Sequence, residues 1–240
     1  MQLVLLAAGR GSRLPKKFRQ NPKCLTKING ITIFEKNFEF FKRFEEKIII
    51  TGYKKNKLTN LIKLQKFKEI FNNRYKSTNM VHSLMLSRKY IKKSSEITIC
   101  YGDIIFNKNI FSILKKNKGN IMPVNPNWLR YWKKRMSTKK VMDDAEDMVT
   151  YKNKLINIGD KIKNKIPRYQ YMGIFKISRK TLNKMYLFYK KINTPKIDMT
   201  SFLSLCIKNK ILSMKIVKYY GIWHEIDHHN DIKIAERELN

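Results

Sequence analysis

The stretch L-V-L-L-A-A-G-R-G-S-R-L (residues 3–14), with N-P-K-C-L (21–25) soon after it, decides how this chain is read. Leu3 to Ala7 is an unbroken apolar run, the mark of a short strand buried on both faces, and it ends in a glycine turn. Gly9 and Gly11 let backbone N–H groups curl around an anion, where a Cβ would obstruct the approach. The spacing Gly9-Arg10-Gly11-Ser12-Arg13 fits neither the dinucleotide fingerprint G-x-G-x-x-G nor the phosphate loop G-x-x-x-x-G-K-[ST]. Two arginines inside the turn and Lys23 beyond it distinguish it from an ordinary strand-to-helix connection.

Outward from that turn, apolar runs alternate with helical patterns, as in a parallel α/β sheet. K-I-I-I-T (47–51), I-T-I-C-Y (97–101) and residues 120–124, broken by Pro123 and Pro126, read as strands. Residues 34–44, 57–67, 79–91 and 107–116 read as helices. The second half predicts a hairpin (149–151 with 155–158), a longer strand over 168–177 and helices at 181–190 and 199–208. Short strands at 214–217 and 222–226 then lead into an acidic helical tail. The predicted class is α/β, with a Rossmann-like, mixed but mainly parallel sheet flanked by helices. One domain is expected over 1–240, with a nucleotide-binding half (1–125) and an acceptor-binding half (126–240).

Composition sets outer bounds. The 240 residues are 42% apolar and 12% aromatic, enough for a sizeable core. No apolar run is long enough for a membrane helix, and the opening is too short and too soon glycine-rich for a secretory signal. Cys24, Cys100 and Cys206 lie far apart, which argues against a disulfide framework or zinc knuckle and for a reducing cytoplasm. The net charge of +34 raises nucleic-acid binding as the competing, non-enzymatic class. Yet 41 lysines against 11 arginines, spread along the whole chain, differ from a clustered, arginine-bearing phosphate track. No nucleic-acid partner is expected, although the field would draw in a polyanionic small substrate.

Two acidic positions complete the pattern. Asp103 follows the I-T-I-C-Y strand, at the carboxyl end where open α/β sheets bind ligands. In W-H-E-I-D (223–227), Glu225 and Asp227 are two apart on an extended stretch and point to one side. Each alone reads as a capping or solvated carboxylate. Mg²⁺ in sites of this kind takes one or two carboxylates plus phosphate oxygens and water.

L-A-A-G-x-G-S-R-L followed by P-K-C-L resembles the nucleotidyltransferase signature of the sugar-phosphate and phosphocholine nucleotidylyltransferases. The resemblance implies a nucleotide-diphospho-sugar transferase fold in which Leu6, Ala7, Ala8, Gly9, Arg10, Gly11 and Ser12 cradle a nucleoside triphosphate. It implies that Arg13 holds the triphosphate, that Lys23 neutralises the attacked α-phosphate, and that Asp103 and Asp227, with Glu225, hold Mg²⁺. An attacking phosphate is already ionised, so His82, His224, His228 and His229 are expected to be structural or exposed. Residues 15–21 depart from the usual register, which would let Lys16 or Lys17 share the role of Lys23.

N-N-R-Y-K-S-T-N-M-V-H-S-L (72–84) resembles the base-pocket edge of cytidylyltransferases. This carries the base contacts to Asn79 and Ser83, with Gly52 nearby, and implies CTP. The blocks at 128–135, 143–146, 170–176 and 198–203 resemble cytidylyltransferases that activate phosphorylated L-glutamine for capsular polysaccharide assembly. A small phosphorylated amine or amino acid is then the implied acceptor, phosphoglutamine first. Phosphocholine or 2-aminoethylphosphonate comes next, and a sugar 1-phosphate after these. From the residues alone, Trp128, Trp132 and Tyr171 suit an aromatic wall, and Trp223 is a further acceptor-binding candidate. Arg135 suits a phosphate or carboxylate, and Asp144 or Glu146 an ammonium. These ingredients fit a quaternary ammonium and an amino acid alike. Monomer and homodimer both remain open.

Overall fold

Isoleucine, leucine and valine carry the strands, so the sheet is apolar on both faces where helices cover it. The computed structural model describes residues 1–239 apart from 94, 108 and 164, with the backbone alone at 138 and 139. Among these, ten strands form one sheet in the spatial order Lys68–Phe71, Glu46–Thr51, Gln2–Ala7, Glu96–Tyr101, Ile174–Ser178, Ile121–Asn125, Lys215–Lys218, Lys154–Lys161, Glu146–Tyr151, with Gln170–Tyr171 beside Ile121–Asn125. The first four are parallel. Ile174–Ser178 then runs antiparallel to its neighbours, and the Glu146–Tyr151/Lys154–Lys161 hairpin closes the far end. The mixed, mainly parallel α/β architecture expected from the sequence is therefore present.

Register places the site. Ala7 lies beside Thr51 and Leu6 beside Tyr101, so three parallel strands end together and their following loops converge. Gly52 and Gly102 permit this. A Cβ on Gly52 would sit 2.7 Å from the Ala8 carbonyl oxygen and 2.8 Å from Tyr75 Cβ, and one on Gly102 would sit 3.0 Å from the Leu6 carbonyl oxygen.

Several elements differ from the sequence reading. The expected helix over 34–44 is two short ones, Ile33–Lys36 and Phe38–Phe41, broken at Asn37. The Asn37 amide there donates to the Ile33 and Ile104 carbonyls. Pro123 does not break its strand, which runs through Ile121–Asn125. The expected strand over 168–177 is interrupted at Gly173, which takes φ +74° and packs so closely that a Cβ would meet the Tyr101 ring at 3.0 Å. Trp128–Arg135, which has no predicted element, is a helix. The three cysteines are buried and unbridged. Among the described residues, no helix is long and apolar enough to cross a membrane.

Candidate active site

A small two-stranded ribbon brings the two predicted acidic segments together. Trp223–Glu225 pairs antiparallel with Ile104–Phe106, placing Glu225 opposite Ile104. The Ile226 N–H then donates to the Asp103 carbonyl at 3.0 Å. Residues distant in sequence thus present Asp103 and Asp227 side by side at the end of the Glu96–Tyr101 strand.

Lys23 lies between them. It opens a short 3₁₀ turn, Lys23–Leu25, and its stem packs against Gly11, where φ is +63° and a Cβ would stand 3.2 Å from Lys23 Cγ. Its Nζ donates to Asp103 Oδ2 at 2.6 Å and to Asp227 Oδ1. The other Asp227 oxygen meets Arg13 Nη2 at 2.8 Å. Burial opposes the charge on Lys23, but Asp103 and Asp227 outweigh it and hold the ammonium above the ordinary lysine range. Burial likewise opposes ionisation of Asp227, yet Lys23 and Arg13 keep its carboxyl below the usual range. Arg135 and Lys23 offset only part of what acts on Glu225. Burial first, then Asp227 and Asp103, push its carboxyl up to about 8.

On one side of this charged centre lies a cleft lined by Leu6, Ala7, Ala8, Gly9, Lys23, Asn79, Ser83 and Asp103, as predicted. Gly9 is exposed, and nothing lies within 4 Å of the position its Cβ would take. Among the described residues, no neighbour demands glycine there. Arg10, Gly11, Ser12 and Gly52 do not line this cleft. The Arg10 guanidinium lies over the Tyr53 ring at 5.6 Å, Gly11 supports Lys23, Ser12 is exposed in the turn, and Gly52 lies behind Ala8. Lys16 and Lys17 are exposed on the Lys16–Gln20 turn. Asn79 both lines the cleft and caps helix Met80–Ser87, accepting from Met80 N–H at 2.8 Å.

Asn72 escaped the sequence reading. It is buried, and its amide donates to Ser83 Oγ at 3.1 Å and Thr78 Oγ1 at 3.2 Å. It therefore organises the wall to which Tyr75 and Thr78 also contribute. The quoted 72–84 segment contained the signal, because its leading Asn and Tyr are polar positions set among charged ones.

On the other side a second cleft shares Asn79, Met80 and Tyr101 with the first and is lined by Arg13, Trp132, Asp144, Glu146, Tyr171, Asp198, Thr200, Glu225 and Asp227. The Thr200 hydroxyl lies 2.9 Å from both Glu146 Oε1 and Asp198 Oδ1. One hydroxyl proton cannot serve two acceptors. Burial raises the Glu146 carboxyl above the usual range, the Thr200 hydroxyl opposes that, and Asp198 and Asp144 add to it.

Three predicted acceptor residues lie elsewhere. Trp128 is core, its indole N–H donating to the Pro167 carbonyl at 3.0 Å. Trp223 is core too, donating to the Met172 carbonyl at 3.1 Å. Arg135 is buried in a two-pronged pair with Asp231, at 2.7 and 3.0 Å. The indoles of Trp128 and Trp132 lie on one helix, and packing selects Trp132 for the cleft. Of the histidines, His224 is buried and held neutral, its pKa lowered to about 4 chiefly by burial. None of the four lines either cleft.

A mixed sheet of this order, with helices on both faces, is the fold shared by solved nucleotidyltransferases. The structure superposes on the CTP:phosphocholine cytidylyltransferase of Streptococcus pneumoniae with a TM-score of 0.78 and 21% identity, covering 100% of this chain and 99% of that one. In sequence, the chain is similar to the CTP:phosphoglutamine cytidylyltransferase of Campylobacter jejuni, with 29% identity over 98% of both chains. It is also 32% identical to the choline-phosphate cytidylyltransferase of Streptococcus pneumoniae, over 46% of this chain and 48% of that one. No family model matches the chain. The resemblance read from the sequence is borne out.

Proposed function

We propose that this protein is a metal-dependent cytidylyltransferase that joins CTP to a small phosphorylated amine or amino acid, phosphoglutamine first, and releases pyrophosphate. The observation that carries this reading is the Lys23 ammonium between Asp103 and Asp227, at the seam of a glycine-walled cleft and an acidic one. The full-length similarity to a phosphoglutamine enzyme supports that acceptor.

In the reaction, an oxygen of the acceptor phosphate attacks the α-phosphorus of CTP, and the bond to the β-phosphate breaks. Two anions must meet, which at about 4 Å costs roughly 4 kcal/mol per unit charge pair at an effective dielectric near 20. Lys23 and Arg13 supply positive potential at that point, and the turn at Gly9 leaves room for phosphate oxygens. The acceptor oxygen is already ionised and needs no base. The acidic cleft suits an ammonium group, while half-exposed Arg13 is the cation within reach of a carboxylate or phosphate there.

The residues also fit a divalent cation. Asp103 and Asp227 both touch one ammonium nitrogen, so they are close enough to share one ion. Asp103 Oδ1 is buried without a hydrogen-bond partner. Among the described residues, no group of three or more His, Cys, Asp or Glu side chains is arranged to hold a metal. Two carboxylates then leave the remaining positions to phosphate oxygens and water, with Glu225 beside them in the acidic cleft. Bound there, Mg²⁺ would supply charge neutralisation at the reacting phosphates. The test is pyrophosphate release from the four nucleoside triphosphates against a panel of phospho-acceptors. CTP with phosphoglutamine should give the highest kcat/KM, and no release from CTP with any amine-bearing phosphate would overturn the reading.

A further inference from the structure

Asp231 makes more bonds than a helix cap requires. It stands at the start of helix His229–Glu238, where a capping role needs one acceptor for the His228 N–H, which it provides at 2.7 Å. The same oxygen also accepts the Asp227 N–H at 2.8 Å, from the very residue whose carboxylate meets Lys23 and Arg13. Its two oxygens together receive Arg135 Nε and Nη2 at 2.7 and 3.0 Å. Both side chains of this pair are only 1% exposed.

Arg135 ends the Trp128–Arg135 helix, and its guanidinium lies 5.0 Å from the ring centroid of Trp132, which lines the acidic cleft. The Asn230 amide donates to the Arg135 carbonyl at 2.6 Å, a second tie between the same two segments. A buried, charged clamp therefore joins the helix that walls the acidic cleft to the backbone that carries Asp227.

Resting on the metal reading of Asp103 and Asp227 above, we infer that Asp231 and Arg135 are positioning residues. They fix the Asp227 backbone so that its carboxylate faces Asp103 across one shared cation. A plain cap would leave cation affinity indifferent to Asp231. A positioning pair makes that affinity sensitive to shifts of about an ångström, as outer partners of metal ligands commonly are.

The test is Mn²⁺ binding in the presence of CTP, followed by electron paramagnetic resonance with no acceptor added, alongside thermal denaturation. D231E keeps the charge and moves the anchor by one methylene. R135M/D231L removes the buried charges as a pair, which avoids stranding either one. Both should weaken Mn²⁺ at least about tenfold. R135K, which keeps the positive charge, should bind Mn²⁺ more tightly than R135M. Mn²⁺ affinities within twofold of the unaltered protein, with only the melting temperature lowered, would overturn the inference. Should R135M/D231L not fold, D231E decides. A failure of the unaltered protein to bind Mn²⁺ would instead sink the metal reading itself.

Discussion

Lys23→Ala removes a cation that touches both Asp103 and Asp227, and turnover should fall about a thousandfold while the fold survives. Pyrophosphate release and a melting curve on the same sample check this. Gly9→Ala should leave the melting temperature unchanged, since its Cβ meets no protein atom, yet raise KM for CTP about tenfold. Glu225 gives a pH test with a definite sign. Its folded pKa lies above the unfolded value, so its contribution to stability is present at acid pH and is lost as pH rises toward about 8. In EDTA, Glu225→Gln should raise the melting temperature by a few degrees at mildly alkaline pH and change little at acid pH. At this scale Lys23, Asp103 and Asp227 were legible as neighbours through the resemblance of the glycine turn, P-K-C-L and W-H-E-I-D to the family's motifs. Arg135, Trp128 and Trp223 were not. Composition does not say which side of a helix or ribbon faces a cleft, and each found its polar partner inside the core.

Between elements, close backbone approach is the controlling quantity. Gly52→Ala would drive a methyl group into the Ala8 carbonyl and Tyr75, so the Glu46–Thr51 strand end and the glycine turn must move apart. The expected result is a lower melting temperature together with a higher KM for CTP, whereas Gly9→Ala raises KM alone. Paired KM and thermal measurements distinguish the two. The parallel strands were readable as apolar runs because both faces are buried. The break at Gly173 was not, because φ +74° and contact with the Tyr101 ring arise only when that ring packs. The Trp128–Arg135 helix also escaped, since four of its eight residues are basic and mask the apolar stripe formed by Trp128, Tyr131 and Trp132.

Across the whole molecule, the +34 charge surrounds a cleft whose second half is acidic. On the proposed function, such a field would draw highly charged CTP in from a distance, while local carboxylates would select the acceptor. Raising ionic strength from about 20 to 200 mM should lower kcat/KM for CTP several-fold and leave kcat nearly unchanged, because distant charges are screened and the buried Lys23 centre is not. Steady-state kinetics over a salt series measures both.

The ribbon that seats Asp227 beside Asp103 also has a bearing on biosynthesis. A ribosome delivers Gly9, Lys23 and Asp103 long before Asp227, so the growing polypeptide cannot complete the charged centre until the ribbon strand has been made. Catalytic competence should then emerge abruptly as the last strand docks. Stop codons placed ahead of residue 227 would yield inert products, however well their earlier parts had folded.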